Sequence, residues 1–263
     1  MRYIMESSDE TRRLLVQERT GNAREALRLS GLKPGDRVLD AGCGPGGITE
    51  MISELVGTSG HVTGLDISED RLAEARQIND RCPNVQFVHA DVRRTGLQDA
   101  SFDFTWCQFV VQYLPDRKVA LQELVRVTRP GGKVVISEFD GFGMQNWPFP
   151  EELREWCVRF VEAVLRVTGF DINVGRKIFT ELRQLGLSNV RVHLLPYQVI
   201  AGTASPELMQ DWQTRFSALE PVVAPALGGL ETYRARCQEY LQFLADPDSL
   251  KYSPLLVTEG TRL

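Results

Sequence analysis

A short apolar run, Arg37-Val38-Leu39-Asp40-Ala41, breaks directly into Gly42-Cys43-Gly44-Pro45-Gly46-Gly47, and the residues that follow place Ile48, Met51, Ile52 and Leu55 at i, i+3, i+4 and i+7. Buried strand, glycine-rich turn and one-faced helix, in that order, open a parallel β-α-β unit. The same grammar continues. HVTGLDIS (61–68) reads as a second strand, with Ser68 placed to cap a helix carrying Leu72, Ala75 and Ile78. VQFVHAD (85–91), FDFTWCQFV (102–110) and KVVISEF (133–139) read as three more strands. Between the last two, Leu121, Leu124 and Val125 mark a helix closed by a Pro130-Gly131-Gly132 turn. Strands alternating with amphipathic helices predict a parallel sheet covered on both faces, whose ligand sits beyond the carboxyl ends of the strands.

After residue 141 the pattern changes. Residues 151–168 put Leu153, Trp156, Cys157, Phe160, Val161, Val164 and Leu165 on one stripe of a long helix. A helix over 176–186, a strand over 190–200, helices over 206–220 and 230–245 and a final strand in SPLLVTEGTRL complete the chain. The expected fold class is therefore α/β: a doubly wound, seven-stranded, mostly parallel sheet with an inserted helical cap. The expected domains are an N-terminal helical lid (1–30, with a helix over about 9–30 interrupted near Gly21), a core (31–141), a helical cap with a later strand (142–250) and a closing core strand (251–263).

Composition narrows the function classes. The net charge of −5 lacks the basic excess that neutralises phosphates, and no basic stripe interleaved with aromatics appears, so nucleic-acid partners are not expected. No stretch approaches about 18 uninterrupted apolar residues, so no membrane span is expected, and the first residues lack the apolar core of a signal peptide. The five cysteines (Cys43, Cys82, Cys107, Cys157, Cys237) are scattered and the three histidines dispersed, which suits a reducing, cytoplasmic setting with no metal site. The segment ahead of the core is a candidate surface for homo-oligomer formation.

The glycine turn matches G-x-G-x-x-G, a pattern shared with dinucleotide-binding loops. Two details point elsewhere. Pro45 removes an N–H that a pyrophosphate would need, and Asp40 sets a negative charge just before the first glycine, where it repels phosphate and suits a cation. Asp66 ends the second strand about 20 residues on, the usual place for an acid on ribose hydroxyls, and Asp91 ends the third. One carboxylate for an amino group, one for ribose and one for an adenine amine describe a nucleoside joined to an amino acid. Each of the three also reads as an ordinary strand end or helix cap.

VLDAGCGPG, GLDIS, ADV, FDFTWCQFVVQYLPD and RPGGKVVISE resemble the successive motifs of class I S-adenosylmethionine-dependent methyltransferases, with a likeness to the ubiquinone/menaquinone-type and small-molecule natural-product branch over about residues 28–140. The resemblance implies a Rossmann-like fold with S-adenosylmethionine as cofactor. Gly42 and Gly44 would line its methionine part, with Asp40 near the amino group and the backbone of Cys107 and Gln108 meeting the ammonium. Asp66 would hold the ribose, Ile67 would pack on adenine, and Asp91 with the N–H of Val92 would read the adenine edge. Tyr3 would reach the carboxylate from the N-terminal segment.

Methyl transfer from a sulfonium is an in-line displacement, so alignment and exclusion of water matter more than a nucleophilic side chain. A phenol, hydroxyl or acidic-carbon acceptor still calls for a general base. Asp140, just past the fifth strand, is the first choice, followed by Tyr113 and His193, with Glu138 and Gln112 at neighbouring strand ends. Asp140 also reads as a loop acid, Tyr113 as core and His193 as a structural histidine. The segment Cys107-Gln108-Phe109-Val110 lacks the [ND]-P-P-[YF] tetrapeptide of enzymes that methylate nucleobase or glutamine amides. The expected activity is methyl transfer to O, N or C of a small aromatic or lipophilic metabolite. The alternative is a cyclase or isomerase that keeps the cofactor pocket without moving the methyl; a nicotinamide-dependent oxidoreductase and a noncatalytic sensor are further readings.

Overall fold

Strand β1 (Arg37–Ala41) is buried from Val38 onward, and this interior position is what Val38, Leu39 and Ala41 encode. The computed structural model describes residues 22–141 and 145–263. Parallel neighbours flank β1 on both sides: β2 (His61–Asp66) with Asp40 opposite Gly64, and β4 (Phe102–Gln108) with Asp40 opposite Trp106. Strand β3 (Val85–His89) pairs parallel with β2, and β5 (Thr128–Phe139) parallel with β4. With β6 (Ser188–Ala201) and β7 (Leu250–Thr261), the sheet order is β3-β2-β1-β4-β5-β7-β6. β7 is the reversed strand. Gly131 and Gly132 exchange backbone hydrogen bonds with Arg262, while further along β5 the Asp140 N–H donates to Pro254 O. Chain direction changes sides between β1 and β4, which leaves the switch point beyond Ala41 and Gln108.

Among the described residues, helix α1 (Ala23–Leu29) precedes β1, and α2 (Gly47–Val56), α3 (Glu69–Ile78) and α4 (Arg117–Val127) connect the parallel strands. α2 buries Ile48, Ile52 and Val56 and stops at Gly57. α3 is capped as the sequence suggests, Ser68 Oγ accepting from Arg71 N at 3.4 Å, with Glu69 and Asp70 in the first turn complementing the helix dipole. The Pro130-Gly131-Gly132 segment differs from expectation. It is not a turn ahead of β5 but part of it: the β4–β5 register jumps from Phe102/Thr128 to Phe104/Lys133, so the extra residues bulge out and are held by Arg262, just past β7.

The chain divides into two compact units. One holds the described residues up to Glu138 with Val174–Leu195 and Leu255–Leu263. Its apolar core joins Leu39, Leu65, Cys107 and Leu124 to Ile178 and Leu182 of α6 (Gly175–Gln184). Arg117 reinforces this unit, its Nε reaching both carboxylate oxygens of Glu181 at 2.9 Å. The other unit holds, among the described residues, Phe139–Asn173 and Pro196–Pro254. Here α5 (Glu151–Thr168), α7 (Pro206–Val223) and α8 (Leu230–Ala245) enclose an aromatic core of Trp156, Phe160, Phe216, Tyr233 and Tyr240. Strands β5, β6 and β7 carry residues of both units.

Candidate cofactor and active site

At the end of β1 the chain leaves the sheet through Gly42, whose N–H, like that of Cys43, is taken by Leu65 O of β2 (2.6 and 2.9 Å). Gly42 has φ +79°, and a Cβ there would lie 2.3 Å from Val110 Cγ2. Gly46, also at positive φ, caps α2 and receives Asn79 Nδ2 on its carbonyl at 3.0 Å; a Cβ on it would strike Ala75 and Asn79. Only glycine meets both the backbone and the space requirement at these two positions. Gly42→Ala is therefore expected to cost about 1–3 kcal/mol of unfolding free energy, read from urea titrations. A loss under about 0.5 kcal/mol would show that Val110 simply yields.

Asp40 is buried beneath this turn. Its Oδ2 accepts from Thr49 Oγ1 at 2.6 Å, and Thr49 is itself wholly buried. Burial dominates the carboxyl, pushing its pKa up to about 7 against the lowering effect of the Thr49 hydroxyl, and the charge of Asp66 adds to the rise. A carboxyl held there gains most from a cation, which restores its charged form. Asp66 is also buried, and its two oxygens accept from the N–H groups of Gly44 and Ser68, both at 2.9 Å. The same acid thus clamps the glycine turn to the start of α3, and each oxygen has lone-pair capacity left for a ligand hydroxyl.

Ile67, next to Asp66, is 64% exposed, an apolar surface at the strand end open to a flat ring. Val92 is buried. Asp91 is engaged by Arg93, whose Nε lies 3.0 and 3.1 Å from its two oxygens and whose N–H donates to Oδ1 at 2.8 Å. Arg93 holds the Asp91 carboxyl below its ordinary value. The sequence reading missed this partner, although an arginine two residues after a strand-end acid is the signal that marks it.

Cys107 is fully buried, and burial, with the charges of Glu138 and Asp40, holds its thiol well above the usual cysteine range. It stays a neutral thiol and is no nucleophile. Gln108 ends β4 with its Oε1 buried and without a hydrogen-bond partner. Beyond it, Glu138 Oε1 accepts from Val110 N and Val111 N at 3.0 and 2.9 Å. Thr49, Asn79 and Glu138 hold the site from outside its motif, and no spacing in the sequence announces them.

Asp40, Gly42, Gly44, Asp66, Ile67, Asp91, Val92, Cys107 and Gln108 fall together, at the carboxyl ends of β1 to β4 or in the turns just after them. The three base candidates are dispersed. Tyr113 closes a 3-10 turn after β4 (Val111–Tyr113). Asp140 is a buried residue of the other unit, its N–H bound to Pro254 O. His193 of β6 contacts Glu259 at 3.2 Å, and Glu259 also binds Lys133, a residue level with Phe104 and so below the strand ends. His193 thereby shares Glu259 with Lys133 within the sheet, away from the glycine turn. Tyr3 lies outside the described residues. Among the described residues no group of histidine, cysteine or acidic side chains could hold a metal, and no helix is long and apolar enough to cross a membrane. None of the five cysteines, all described, forms a disulfide.

A parallel sheet whose last strand is inverted between the fifth and sixth, bearing a glycine turn steadied by buried acids, is the class I S-adenosylmethionine-dependent methyltransferase fold. Residues 39–136 match the methyltransferase domain family. A demethylmenaquinone methyltransferase of Staphylococcus aureus strain JH9 is 37% identical over 115 residues, covering 44% of this chain and 48% of the relative. The chain thus spans about half the length of the curated relatives it matches. Among solved structures, a S-adenosylmethionine-dependent methyltransferase of Aquifex aeolicus superposes with a TM-score of 0.56 at 18% identity, covering 97% of this chain and 98% of that one. Phosphoethanolamine N-methyltransferase 2 of Haemonchus contortus, solved with phosphomonomethylethanolamine and S-adenosylhomocysteine, gives 0.56 at 20% identity over 92% of this chain and 52% of that one. At such identities these likenesses are of fold.

Proposed function

We propose that this protein moves the methyl group of S-adenosylmethionine to a small aromatic or lipophilic acceptor of quinone-like chemistry. The observation that carries the reading is Asp40: a carboxyl buried under a glycine turn, raised to about 7 and bonded to a single hydroxyl, is completed by a cation and not by a phosphate. The sequence likeness to a demethylmenaquinone methyltransferase supports the acceptor class.

S-adenosylmethionine supplies an electrophilic methyl on a sulfonium. Asp40, Gly42, Gly44 and the backbone at Cys107–Gln108 hold its amino-acid part. Asp66 takes the ribose, and Ile67, Asp91 and Val92 take the adenine, with the carboxylate of Asp91 shared with Arg93. Binding fixes the reacting atoms in line and excludes water, which supplies most of the rate gain for a displacement whose charge disperses. Asp140 removes the proton of a phenolic or acidic-carbon acceptor; it is preferred to Tyr113, and to His193, which is tied to Glu259. A reducing, cytoplasmic setting fits the cysteines without disulfides.

Two measurements test the reading. S-adenosylhomocysteine raises the melting temperature and NAD does not; the reverse pattern marks an oxidoreductase. Methyl-labelled cofactor passes its label to a reduced quinone-type phenol. Label that stays on the cofactor while the acceptor rearranges shows a cyclase instead.

A further inference from the structure

β4 stops pairing with β5 at Gln108, opposite Ser137, and the chain then turns away through Phe109 at φ +56°. Three successive N–H groups leave the sheet at this bend. Phe109 N still reaches the backbone of β5, donating to Ser137 O at 3.1 Å. Val110 N and Val111 N point where no backbone follows, and both donate to Glu138 Oε1. The side chain of Glu138 continues the ladder that the backbone has abandoned.

We propose that Glu138 is a positioning residue: its carboxylate sets the course of the chain after β4 and, through it, the backbone of Cys107–Gln108 and the seat of Val110 on Gly42. The proposal rests on the cofactor site assigned above and deepens it. Glu138 is fully buried, as is Val111. Deleting the acceptor strands two N–H groups unless the loop moves to find water. The loop moves at the expense of the turn, because Val110 Cγ2 fills the space that a Cβ on Gly42 would take.

The test compares Glu138→Gln and Glu138→Ala by amide hydrogen exchange, by calorimetric titration with S-adenosylhomocysteine and by the pH profile of kcat. The glutamine oxygen still accepts from both N–H groups. In Glu138→Ala, exchange at Val110 and Val111 speeds up at least about tenfold while the amides of β1 do not change, and the Kd for S-adenosylhomocysteine rises at least about tenfold. Glu138→Gln recovers most of both effects and keeps the wild-type shape of the pH profile. Glu138→Gln that binds S-adenosylhomocysteine but loses turnover overturns the proposal in favour of a base. Glu138→Gln that behaves like Glu138→Ala also overturns it, since charge rather than the shared acceptor would then matter. Should the alanine variant not fold, exchange and pH profile in the glutamine variant decide. A wild-type protein that ignores S-adenosylhomocysteine defeats the methyltransferase reading alone, because exchange at Val110 and Val111 still reports the hold of Glu138.

Discussion

Asp40→Asn is expected to weaken S-adenosylmethionine binding by about 100-fold, close to 2.7 kcal/mol, the range of a charge-assisted hydrogen bond lost from a buried site. Asparagine keeps an oxygen for Thr49 Oγ1, so the change removes charge more than structure. The pH dependence carries the stronger signature. In the unliganded wild type the Asp40 carboxyl sits near 7. A cationic ligand favours the ionised form, so affinity climbs as pH rises through about 7 and levels off above it. In the asparagine variant that rise disappears. Stability runs the other way. The folded pKa lies above the ordinary 3.8, so the folded protein takes up a proton between about 4 and 7 and this group's contribution is lost as pH rises through 7. Isothermal titration across pH 6–8.5 reads the first effect; an equally steep wild-type and variant profile there would remove Asp40 from the site.

Trp156→Ala is expected to cost about 3–5 kcal/mol of unfolding free energy, the usual loss for deleting a large aromatic from a packed core. Trp156 is 2% exposed, with Phe160 at 5.1 Å and Phe216 and Tyr233 each at 6.4 Å between ring centroids. These neighbours are themselves pinned, Tyr233 OH donating to Phe216 O at 2.9 Å, so the hole cannot close cheaply. Urea unfolding followed by circular dichroism measures the change; a loss below about 1 kcal/mol would mean that the helices collapse around the gap.

The parallel half of the sheet was legible because its signals are local. Val38 and Leu39 before a glycine turn, or Ile48, Met51, Ile52 and Leu55 after it, declare a strand and a helix within about twenty residues. The acids Asp40, Asp66 and Asp91 were legible for the same reason, as strand ends. What escaped depends on residues distant in sequence. Pro130-Gly131-Gly132 reads as a turn until Arg262 arrives to bond its backbone. β7 begins at Leu250, ahead of the apolar run that suggested it. Glu138 looks like one more strand-end acid, and only the bend at Phe109 gives it two N–H groups to hold. His193 has a base's chemistry but a partner, Glu259, that lies 66 residues away.

The place of β7 in the sheet has a consequence for biosynthesis. It is the last strand of the sheet to leave the ribosome, yet it fits between two earlier ones. Until it arrives, β6 has no neighbour in the sheet and β5 keeps one edge bare. A nascent chain therefore carries a wholly unpaired strand and a bare sheet edge at once, the condition under which chains pair with each other instead of with themselves. Slow, non-local closure by β7 makes the interval before it pairs the stage most open to such mispairing.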